Sequence, residues 1–405
     1  MRLRIKEFCD YVSRGTTPDY VDEGANKVMN QATFSKGWLD ENNIRYTSKA
    51  NKGARIMKGD LLMASTGGGV LGKVFFFDKD DDSFYADSHV TIMRNSKGAN
   101  LMKYLYYYFY LRYDEINATM VKGSTNQTEL QRNYLLSYEL DVPILADQQR
   151  MVTFLDTKLA EIDHQVSLLT SKRDAYLRLK KSIINHAVTR GLDPNVKMKD
   201  SGIEWIGEVP EHWEVKRMKD IFFERKELSL TGEEDLLSVS EFYGVARRKD
   251  KMNSDEEFES RADSLVGYKI CKAHDLVINI MLAWKTGLGI SDNDGIVSPA
   301  YAVYEGRNIA SHFYHYLLRS GMYVKEFKRH SKGIIDSRLR LYNDRFNNIS
   351  AIYPPLPEQR AIATYLDDKC AKIDTIVSNL NKQISRYADL KRSLIDEVIT
   401  GKRAV

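Results

Sequence analysis

The sequence predicts a mixed α/β (α+β) fold in which two globular domains alternate with two long helices that pair as a coiled coil. Three observations predict this architecture. Residues 143–189 recur without a gap as residues 354–400, each copy carries an apolar heptad pattern, and each copy follows an α/β-like segment of similar size. A repeat this long indicates the internal duplication of a whole domain, not the short period of a solenoid.

The recurring stretch keeps identical residues at one constant offset. Gln148 matches Gln359, an offset of 211 positions. The same offset relates Leu155 and Asp156 to Leu366 and Asp367, Ile162 and Asp163 to Ile373 and Asp374, Tyr176 to Tyr387, and Leu179 and Lys180 to Leu390 and Lys391.

Both copies have the spacing of a coiled-coil helix, with apolar residues at alternating steps of three and four. The predicted pairing seam consists of Leu155, Ile162, Val166, Leu169, Tyr176 and Ile183 in the first copy and of Leu366, Ile373, Val377, Leu380, Ile384, Tyr387 and Leu394 in the second. Arg173 and Lys180 interrupt the first seam, and Lys391 interrupts the second. Some forty residues at ~1.5 Å each predict a rod on the order of 60 Å.

The helix boundaries follow from charge and glycine placement. Asp147 and Glu358 lie where a negative charge suits the start of a helix. Gly191 and Gly401 lie where a helix commonly ends.

The upstream segments predict related globular domains. Residues 59–65 and 73–78 have strand patterns around a glycine turn, residues 101–113 form an aromatic helix, and a polar loop follows at 122–128. Residues 273–280, 311–328 and 332–338 parallel the first strand, the helix and the loop, so the duplication includes the globular segments, which diverged further than the helices. The predicted divisions are a first globular domain (1–142), a first long helix (143–191), a connector (192–214), a second globular domain (215–353) and a second long helix (354–405).

The glycine turn of residues 67–72 fits G-x-G-x-x-G and the front of a P-loop. The P-loop needs Ser or Thr after its lysine, and here Val74 follows Lys73. Because the turn leads into a strand and not a helix, we predict a hairpin turn. A backbone loop that approaches DNA phosphate is the functional alternative, and a nucleotide-hydrolysing enzyme is a weak one.

Composition bounds the class of protein. The net charge of +4 permits a nucleic-acid partner without demanding one. Three distant cysteines, no apolar run of membrane-span length and no signal-peptide core predict a cytoplasmic protein without a membrane partner.

We predict no catalytic residue, no metal site and no cofactor. His312 and His315 share a helix face, but no cysteine or carboxylate set completes a metal site. An adenine methyltransferase would need an Asn/Asp-Pro-Pro-aromatic tetrad, and the sequence beginning at Tyr353 is Tyr-Pro-Pro-Leu.

Three stretches resemble one known family. They are the connector Asp-Ser-Gly-Ile-Glu-Trp-Ile-Gly-Glu-Val-Pro-Glu-His-Trp-Glu-Val from Asp200, with Trp205 and Trp213 as docking anchors, the helix start Pro-Pro-Leu-Pro-Glu-Gln-Arg from Pro354, and the helix end Leu-Ile-Asp-Glu-Val-Ile-Thr-Gly-Lys from Leu394. Together they resemble the specificity subunit (S subunit, HsdS) of type I restriction–modification systems, over the whole length. The first helix start departs from the pattern, with the single proline Pro143 and with Asp147 in place of glutamate.

The resemblance implies a non-catalytic subunit that recognises duplex DNA. The globular domains would be target-recognition domains, each gripping one half of a bipartite site, and the helices would pack antiparallel as a spacer. The implied partners are two modification (methyltransferase, HsdM) subunits and restriction (HsdR) subunits, to which methyl donor, ATP and magnesium belong. The alternatives are the recognition subunit of another modular restriction system and a cytoplasmic coiled-coil scaffold that binds no nucleic acid.

Candidate DNA contacts are cationic and small polar side chains, which make most contacts to phosphate and sugar. Each charged run alone is more often a solvated face, and the family resemblance favours the repeated loop at Lys122 and Lys332. The candidates are Arg14, Thr16, Thr17, Ser65, Thr66, Lys122, Ser124, Thr125, Asn126, Gln127, Arg247, Arg248, Lys249, Lys332, Ser337, Arg338 and Arg340.

Overall fold

The computed structural model of the chain describes residues 1–122, 128–251 and 264–405. It separates into two compact units. Unit 1 consists of residues 1–170 and 382–405, and unit 2 consists of residues 171–381. Each long helix contributes one segment to each unit.

Unit 1 is a mixed α/β structure. Its strands are β1 (Arg2–Arg4), β2 (Tyr11–Arg14), β3 (Tyr20–Val21), β4 (Asn26–Met29), β5 (Arg45–Thr47), β6 (Leu61–Ala64), β7 (Val74–Phe76), β8 (Phe84–Ala86), β9 (Val90–Arg94), β10 (Val121–Lys122), β11 (Glu129–Leu130) and β12 (Glu139–Asp141). Its helices are α1 (Ile5–Phe8), α2 (Gln31–Phe34), α3 (Ala99–Leu111), α4 (Tyr113–Thr119), α5 (Arg132–Ser137) and the first part of the long helix α6 (Leu145–Arg190).

Unit 2 has the same classes of element. Its strands are β13 (Met198–Asp200), β14 (Glu208–Pro210), β15 (Glu214–Arg217), β16 (Phe222–Glu224), β17 (Leu237–Ser240), β18 (Gly244–Arg247), β19 (Lys269–Cys271), β20 (Leu276–Asn279), β21 (Leu288–Ile290), β22 (Gly295–Val297), β23 (Tyr301–Gly306) and β24 (Ser350–Tyr353). Its helices are α7 (Met218–Ile221), α8 (Ser311–Leu318), α9 (Gly321–His330), α10 (Asn343–Asn347) and most of the long helix α11 (Leu356–Ile399). Short 3-10 turns lie at Arg248–Lys251, Ala283–Lys285 and Asp336–Arg338.

One antiparallel sheet topology occurs in both units. The central strand order is β2-β9-β6-β7 in unit 1 and β16-β23-β20-β21 in unit 2. A two-stranded ribbon closes each globular part, β1 with β12 and β15 with β24. The duplication therefore includes the globular parts, as the sequence predicts.

The additional strands differ between the units. Unit 1 has a second sheet, β3-β5-β4-β8, in which β4 and β8 run parallel. Unit 2 has instead the hairpin β17–β18 and the pair β19–β22. The two globular parts therefore share a frame but present different loops.

Apolar residues of the central strands and the aromatic helices form the cores. All four residues of β6 and of β20 are buried, which is why both stretches are almost continuously apolar. In unit 1 the aromatic helix α3 buries Tyr104, Leu105 and Phe109. Its counterpart α8 buries Phe313, Tyr314, Leu317 and Leu318.

The two long helices have the boundaries that the sequence predicts, to within a few residues. Asp147 and Glu358 lie in their first turns. Gly191 and Gly401 follow their ends with φ near +77° and +74°, a left-handed conformation that glycine adopts without strain. Gln148 and Gln359 each donate a 2.8 Å hydrogen bond to a proline carbonyl five residues earlier, which explains why the repeat keeps this glutamine.

Within unit 2 the long helices run in opposite directions. Gly191, just past the end of α6, lies beside Glu358 in the first turn of α11, since a Cβ added to Gly191 would lie 2.9 Å from the Glu358 carboxylate. Lys180, earlier in α6, contacts Asp374, later in α11. The pairing in this unit is therefore antiparallel.

The predicted seam residues are withdrawn from solvent. Leu155, Ile162, Leu366, Ile373, Leu380 and Leu394 are buried, and Val166, Leu169, Tyr176, Ile183, Val377, Ile384 and Tyr387 are half-buried. In unit 1, Leu155 and Ile162 of α6 share a core cluster with Leu394 of α11. Among the described helices, none combines the length and apolarity that a membrane span requires.

A repeated hydrogen bond attaches each globular part to the long helix of its own unit. The Tyr107 hydroxyl of α3 donates to Asp156 Oδ1 of α6 at 2.6 Å. The Tyr316 hydroxyl of α8 donates to Asp367 Oδ1 of α11 at 2.7 Å. Because both carboxylates belong to the repeated sequence, the duplication preserved the junction between globular part and helix.

The connector belongs to unit 2 and packs against the rest of that unit through its tryptophans. Trp213 is buried, and its indole N–H donates to Glu358 Oε2 at 2.9 Å. Trp205 packs edge-on against Tyr323, with ring centroids 5.0 Å apart. The anchor prediction is confirmed. The sequence did not predict that β13 and β14 form a hairpin within the connector.

Candidate nucleic-acid interface

The glycine turn of unit 1 is a hairpin turn, as predicted. It joins the antiparallel strands β6 and β7. Gly67, Gly69 and Gly72 have positive φ, and a Cβ on Gly72 would lie 2.9 Å from Ile116 Cγ2. Since the turn leads into a strand, it presents no helix N-terminus to a phosphate and lacks the geometry of a P-loop.

Several predicted contacts of unit 1 converge beside this turn. The Arg14 guanidinium at the end of β2 bonds to the Ser88 carbonyl and to the Glu129 carboxylate. Thr66, the first residue after the buried strand segment, forms a backbone bridge with Glu129, and its hydroxyl lies 2.7 Å from His89 Nδ1. These residues lie at the base of the predicted polar loop, since Lys122 pairs with Glu129 across β10 and β11. Sequence reasoning missed His89 and Glu129 as neighbours, because only the fold brings them to this edge.

Four candidates of that loop, namely Ser124, Thr125, Asn126 and Gln127, lie outside the described residues. Thr16 and Thr17 line a small cavity of about 160 Å³ together with Lys49 and Asn51.

Ser65 is a correction to the sequence prediction. It is buried, and its hydroxyl lies 2.6 Å from Thr91 Oγ1 on the neighbouring strand β9. Ser65 lies one residue past the end of β6 at Ala64, and burial continues to it. Its side chain is therefore removed from the candidate surface.

The loop of residues 332–340 in unit 2 is closed by its own backbone. Lys332 and Arg340 exchange two 2.9 Å backbone hydrogen bonds, and the Arg338 side chain is exposed. The Leu341 N–H donates to the Ile280 carbonyl at 2.9 Å, which ties the loop to the turn after β20. The predicted candidates Lys332, Arg338 and Arg340 are thus presented next to that turn, and Ser337 belongs to the same loop.

The turn after β20 adds Trp284 and Lys285 to this surface, and helix α9 adds Lys328. Trp284 is half-buried, and the Nζ atoms of Lys285 and Lys328 lie 4.9 and 5.1 Å from its ring centroid. Lys328 also pairs with Asp336 in the loop of residues 332–340, at 2.9 Å. Sequence reasoning missed Trp284 and Lys285. The turn after β20 is the counterpart in the duplication of the glycine turn after β6, and this equivalence was the available signal.

The basic run of Arg247, Arg248 and Lys249 is partly neutralised. Lys249 Nζ lies 2.6 Å and Arg247 Nε 3.2 Å from the Asp235 carboxylate. The hydrogen bond from Lys249 lowers the pKa of Asp235, so the carboxyl stays ionised beside both cations.

Arg319 connects the hairpin β17–β18 to the turn after β20. Its guanidinium donates to the carbonyl oxygens of Thr286 in the turn and of Leu288 at the start of β21, at 2.7 and 2.6 Å. It also donates to those of Glu241 and Phe242 at the hairpin tip, at 2.9 and 3.1 Å. A single half-buried cation therefore holds two surface loops of unit 2 together.

His315 packs beneath the same loops. Its Nδ1 accepts a hydrogen bond from the Ile290 N–H at 3.4 Å. Desolvation, followed by the charge of Arg319, lowers the pKa of His315 to about 4. Its neighbour His312 lies 3.1 Å from Asp292. Within residues 1–122, 128–251 and 264–405, no group of three His, Cys, Asp or Glu side chains is placed to hold a metal ion.

Comparison with known proteins decides the family. Residues 1–168 and 210–386 match the type I restriction modification DNA specificity domain. The chain belongs to this family. Both matches combine a globular part with part of a long helix, so the family frame coincides with the internal duplication.

Relatives of the family extend over most of the chain. The type I restriction enzyme MjaVIII specificity subunit of Methanocaldococcus jannaschii is 21% identical over 99% of this chain and 92% of its own length. The type I restriction enzyme StySPI specificity subunit of Salmonella potsdam is 22% identical over 65% of this chain and 57% of its own length. A solved chain, described in work on complex assembly and conformational transition of the type I R-M system, superposes with a TM-score of 0.69. It is 14% identical, covering 98% of this chain and 97% of that one, which supports the specificity-subunit fold.

Proposed function

We propose that this chain is the DNA sequence-recognition subunit of a type I restriction–modification complex. The observation that carries the proposal is the double match to the family's DNA specificity domain, once on each half of the duplicated chain. Relatives that align over nearly the full length are named specificity subunits. We place the chain in the cytoplasm, where such a complex meets DNA.

Each globular domain reads one half of a bipartite site in this proposal, and the long helices set the spacing. The shared sheet order supports equivalent docking on DNA, and the different additional strands support different target sequences. The hydrogen bonds Tyr107–Asp156 and Tyr316–Asp367 support a rigid connection between reader and spacer. The proposed domain limits are those predicted from the sequence: 1–142, 143–191, 192–214, 215–353 and 354–405.

Phosphate contacts supply most of the proposed affinity. In unit 2 the contacts come from Lys332, Arg338 and Arg340, reinforced by Lys285 and Lys328, because these cations border one continuous surface. In unit 1 we propose the surface around the polar loop, with contacts from Arg14, Thr16, Thr17, Thr66, Lys122, Ser124, Thr125, Asn126 and Gln127. The basic run of Arg247, Arg248 and Lys249 supplies further proposed contacts. Ser337, which precedes Arg338 in the loop of residues 332–340, is also a proposed contact.

The subunit is non-catalytic in this proposal. Two modification (methyltransferase, HsdM) subunits carry out methylation, and restriction (HsdR) subunits carry out cleavage, with methyl donor, ATP and magnesium bound to them. The repeated helices offer a docking surface for two identical partners. Leu179 and Leu390 occupy equivalent repeat positions and are 47% and 49% exposed. Each repeat keeps one exposed leucine at the same position, as expected if two copies of one partner bind to the two repeats.

The deciding experiment is adenine-methylation mapping in cells that express this chain with its modification subunit. We expect methylated adenines in a two-part motif separated by a fixed spacer of unspecified sequence. Duplexes mutated in one half-site at a time should each bind the assembled complex more weakly. A scaffold protein would leave methylation and duplex binding unchanged when the chain is omitted, and this outcome would overturn the proposal.

A further inference from the structure

The tip of the β17–β18 hairpin in unit 2 carries a phenylalanine that is almost entirely in solvent. Phe242 is 91% exposed. Strands β17 and β18 are paired from Leu237 with Arg247 to Ser240 with Gly244, so the ring lies at the end of a regular hairpin. Exposing a whole aromatic ring forgoes the free energy that burying it would contribute.

The backbone around this ring is held in place. The Arg319 guanidinium bonds to the carbonyl oxygens of Glu241 and Phe242, and the Thr286 hydroxyl donates to Glu241 O at 2.7 Å. The Phe242 N–H donates to Ser240 Oγ at 3.1 Å. Because the tip is fixed from both sides before it binds, less conformational entropy is lost when the ring makes a contact.

The tip also has close packing behind it. A Cβ on Gly244 would lie 3.0 Å from His315 Cε1, so only a glycine lets the hairpin approach α8 this closely. Gly244 has φ near +85°, which glycine adopts without strain. The hairpin is therefore seated on the core of unit 2 while the ring points away from it.

The ring stands next to the proposed DNA surface. Thr286, which holds the tip, follows Lys285 and Trp284 in the turn after β20. Lys328 lies over the Trp284 ring and pairs with Asp336 of the loop of residues 332–340. An exposed aromatic ring beside a row of cations is the combination that proteins use to contact unstacked bases.

We propose that Phe242 inserts between base pairs of the half-site read by unit 2 and locally unstacks them. The inference rests on the proposed function and adds a specificity-determining residue to it. Glu241 precedes the ring with a carboxylate, which disfavours a phosphate contact at the tip itself. What the tip offers to DNA is therefore the apolar ring. A wedge of this kind makes binding depend on how easily a base step deforms, which adds specificity without a hydrogen bond to a base edge.

The test uses the assembled complex of this chain with its modification subunits and duplexes carrying the mapped target. 2-Aminopurine replaces single bases along the second half-site, excluding the adenine that is methylated, because extrusion of that base would itself raise the fluorescence. We expect wild type to raise 2-aminopurine fluorescence at one base step. Phe242→Ala should abolish that rise and weaken specific binding about 10-fold, since base–aromatic stacking contributes on that scale. The slope of log affinity against log salt should stay unchanged, because no phosphate contact is lost.

Two matched variants complete the design. Phe242→Leu keeps an apolar wedge and should retain part of the fluorescence rise. Leu230→Ala removes another apolar side chain of unit 2, one that is 89% exposed, and should change neither fluorescence nor affinity. Equal thermal unfolding of all variants establishes that the fold is intact.

Each other outcome overturns the inference. If wild type binds its two-part target but Phe242→Ala shows the same fluorescence and affinity, the wedge is wrong while the proposed function stands. If Phe242→Ala instead weakens assembly with the modification subunit in size-exclusion chromatography, the ring is a protein contact. If wild type binds no two-part duplex, the proposed function falls and the wedge with it.

Discussion

Lys180 Nζ lies 2.7 Å from both carboxylate oxygens of Asp374, and the repeat-related residues Lys391 and Asp163 form the same pair at 2.6 Å. Lys180 and Lys391 occupy two of the positions at which the apolar seam is interrupted. Each lysine of one repeat therefore meets the aspartate of the other repeat. A polar residue at a seam position fixes the register and orientation of paired helices at some cost in stability.

The Lys180–Asp374 pair predicts a charge-reversal phenotype. Lys180→Glu should lower the free energy of unfolding by about 1 kcal/mol, because it replaces an attraction between partly exposed groups by repulsion. Asp374→Lys in the same chain should restore most of the loss. The measurement is urea unfolding followed by circular dichroism, in a double-mutant cycle. Lys172→Glu, on an exposed position of α6, is the control and should be nearly neutral. A cycle with no coupling between the two positions would mean that the pair contributes nothing to register.

The buried seam of α11 predicts a larger effect. Ile373 and Leu380 are buried, so truncation of either to alanine should cost ~2–5 kcal/mol of stability. The same unfolding experiment measures it. Leu390→Ala removes a comparable side chain from an exposed position of α11 and should cost far less. Equal losses for buried and exposed leucines would contradict the seam.

The long helices could be predicted from sequence because their information is local and repeated. Heptad spacing, first-turn carboxylates and terminal glycines coincide in both copies, and the structure places α6 and α11 accordingly. The glycine turn was also predictable, since Val74 excluded a P-loop and strand patterns flanked it.

The surface was less predictable because its members come from distant parts of the chain. Arg319 joins the turn containing Thr286 to the hairpin tip containing Phe242, and no pattern in the sequence relates these positions. Ser65 is the last residue of the predicted strand 59–65, but only the sheet places Thr91 beside its hydroxyl. The connector hairpin was missed because Met198–Asp200 and Glu208–Pro210 are short and lack apolar alternation.

His315 predicts a pH dependence of the stability of unit 2. Its pKa is lowered from 6.5 to about 4 by desolvation and by Arg319 and His312, against Asp292. The unfolded chain therefore binds a proton between these values that the folded chain does not, and stability falls as the pH falls from about 6.5 to about 4. The loss from this group is at most about 3 kcal/mol. His315→Gln should weaken the dependence of the thermal unfolding midpoint on pH in this window. His164→Gln, on an exposed position of α6, should leave the profile unchanged. An unaltered profile in His315→Gln would show that other groups control the acid transition.

The spacer role of the helices predicts a change in the distance between half-sites. Deleting seven residues from each helix at repeat-related positions, 168–174 and 379–385, keeps the heptad pattern in phase. The helices shorten by ~10 Å, which corresponds to about three base pairs. Adenine-methylation mapping should show the same half-sites with a shorter spacer. Altered half-sites with the original spacer length would contradict the spacer role of the helices. Deleting four residues at the same places breaks the heptad phase and should abolish methylation.

The loop of residues 332–340 predicts how the half-site of unit 2 is held. Arg338→Ala combined with Arg340→Ala should weaken binding of the assembled complex and lower the slope of log affinity against log salt by about two, with the preferred sequence unchanged, if both side chains contact phosphates. If one arginine instead reads a guanine edge, its loss should cost ~1–3 kcal/mol and relax a single position of that half-site. We expect the phosphate result, because Lys332, Lys328 and the two arginines border one cationic surface. The first half-site should be unaffected in both cases, since a different unit reads it.

Arg178→Ala combined with Arg386→Ala removes the same charge from exposed positions of the long helices and is the matched control. Binding measured across a salt series, with duplexes mutated in one half-site at a time, distinguishes these outcomes. If the Arg338→Ala, Arg340→Ala variant has the affinity and salt slope of the wild type, the loop is only a solvated surface.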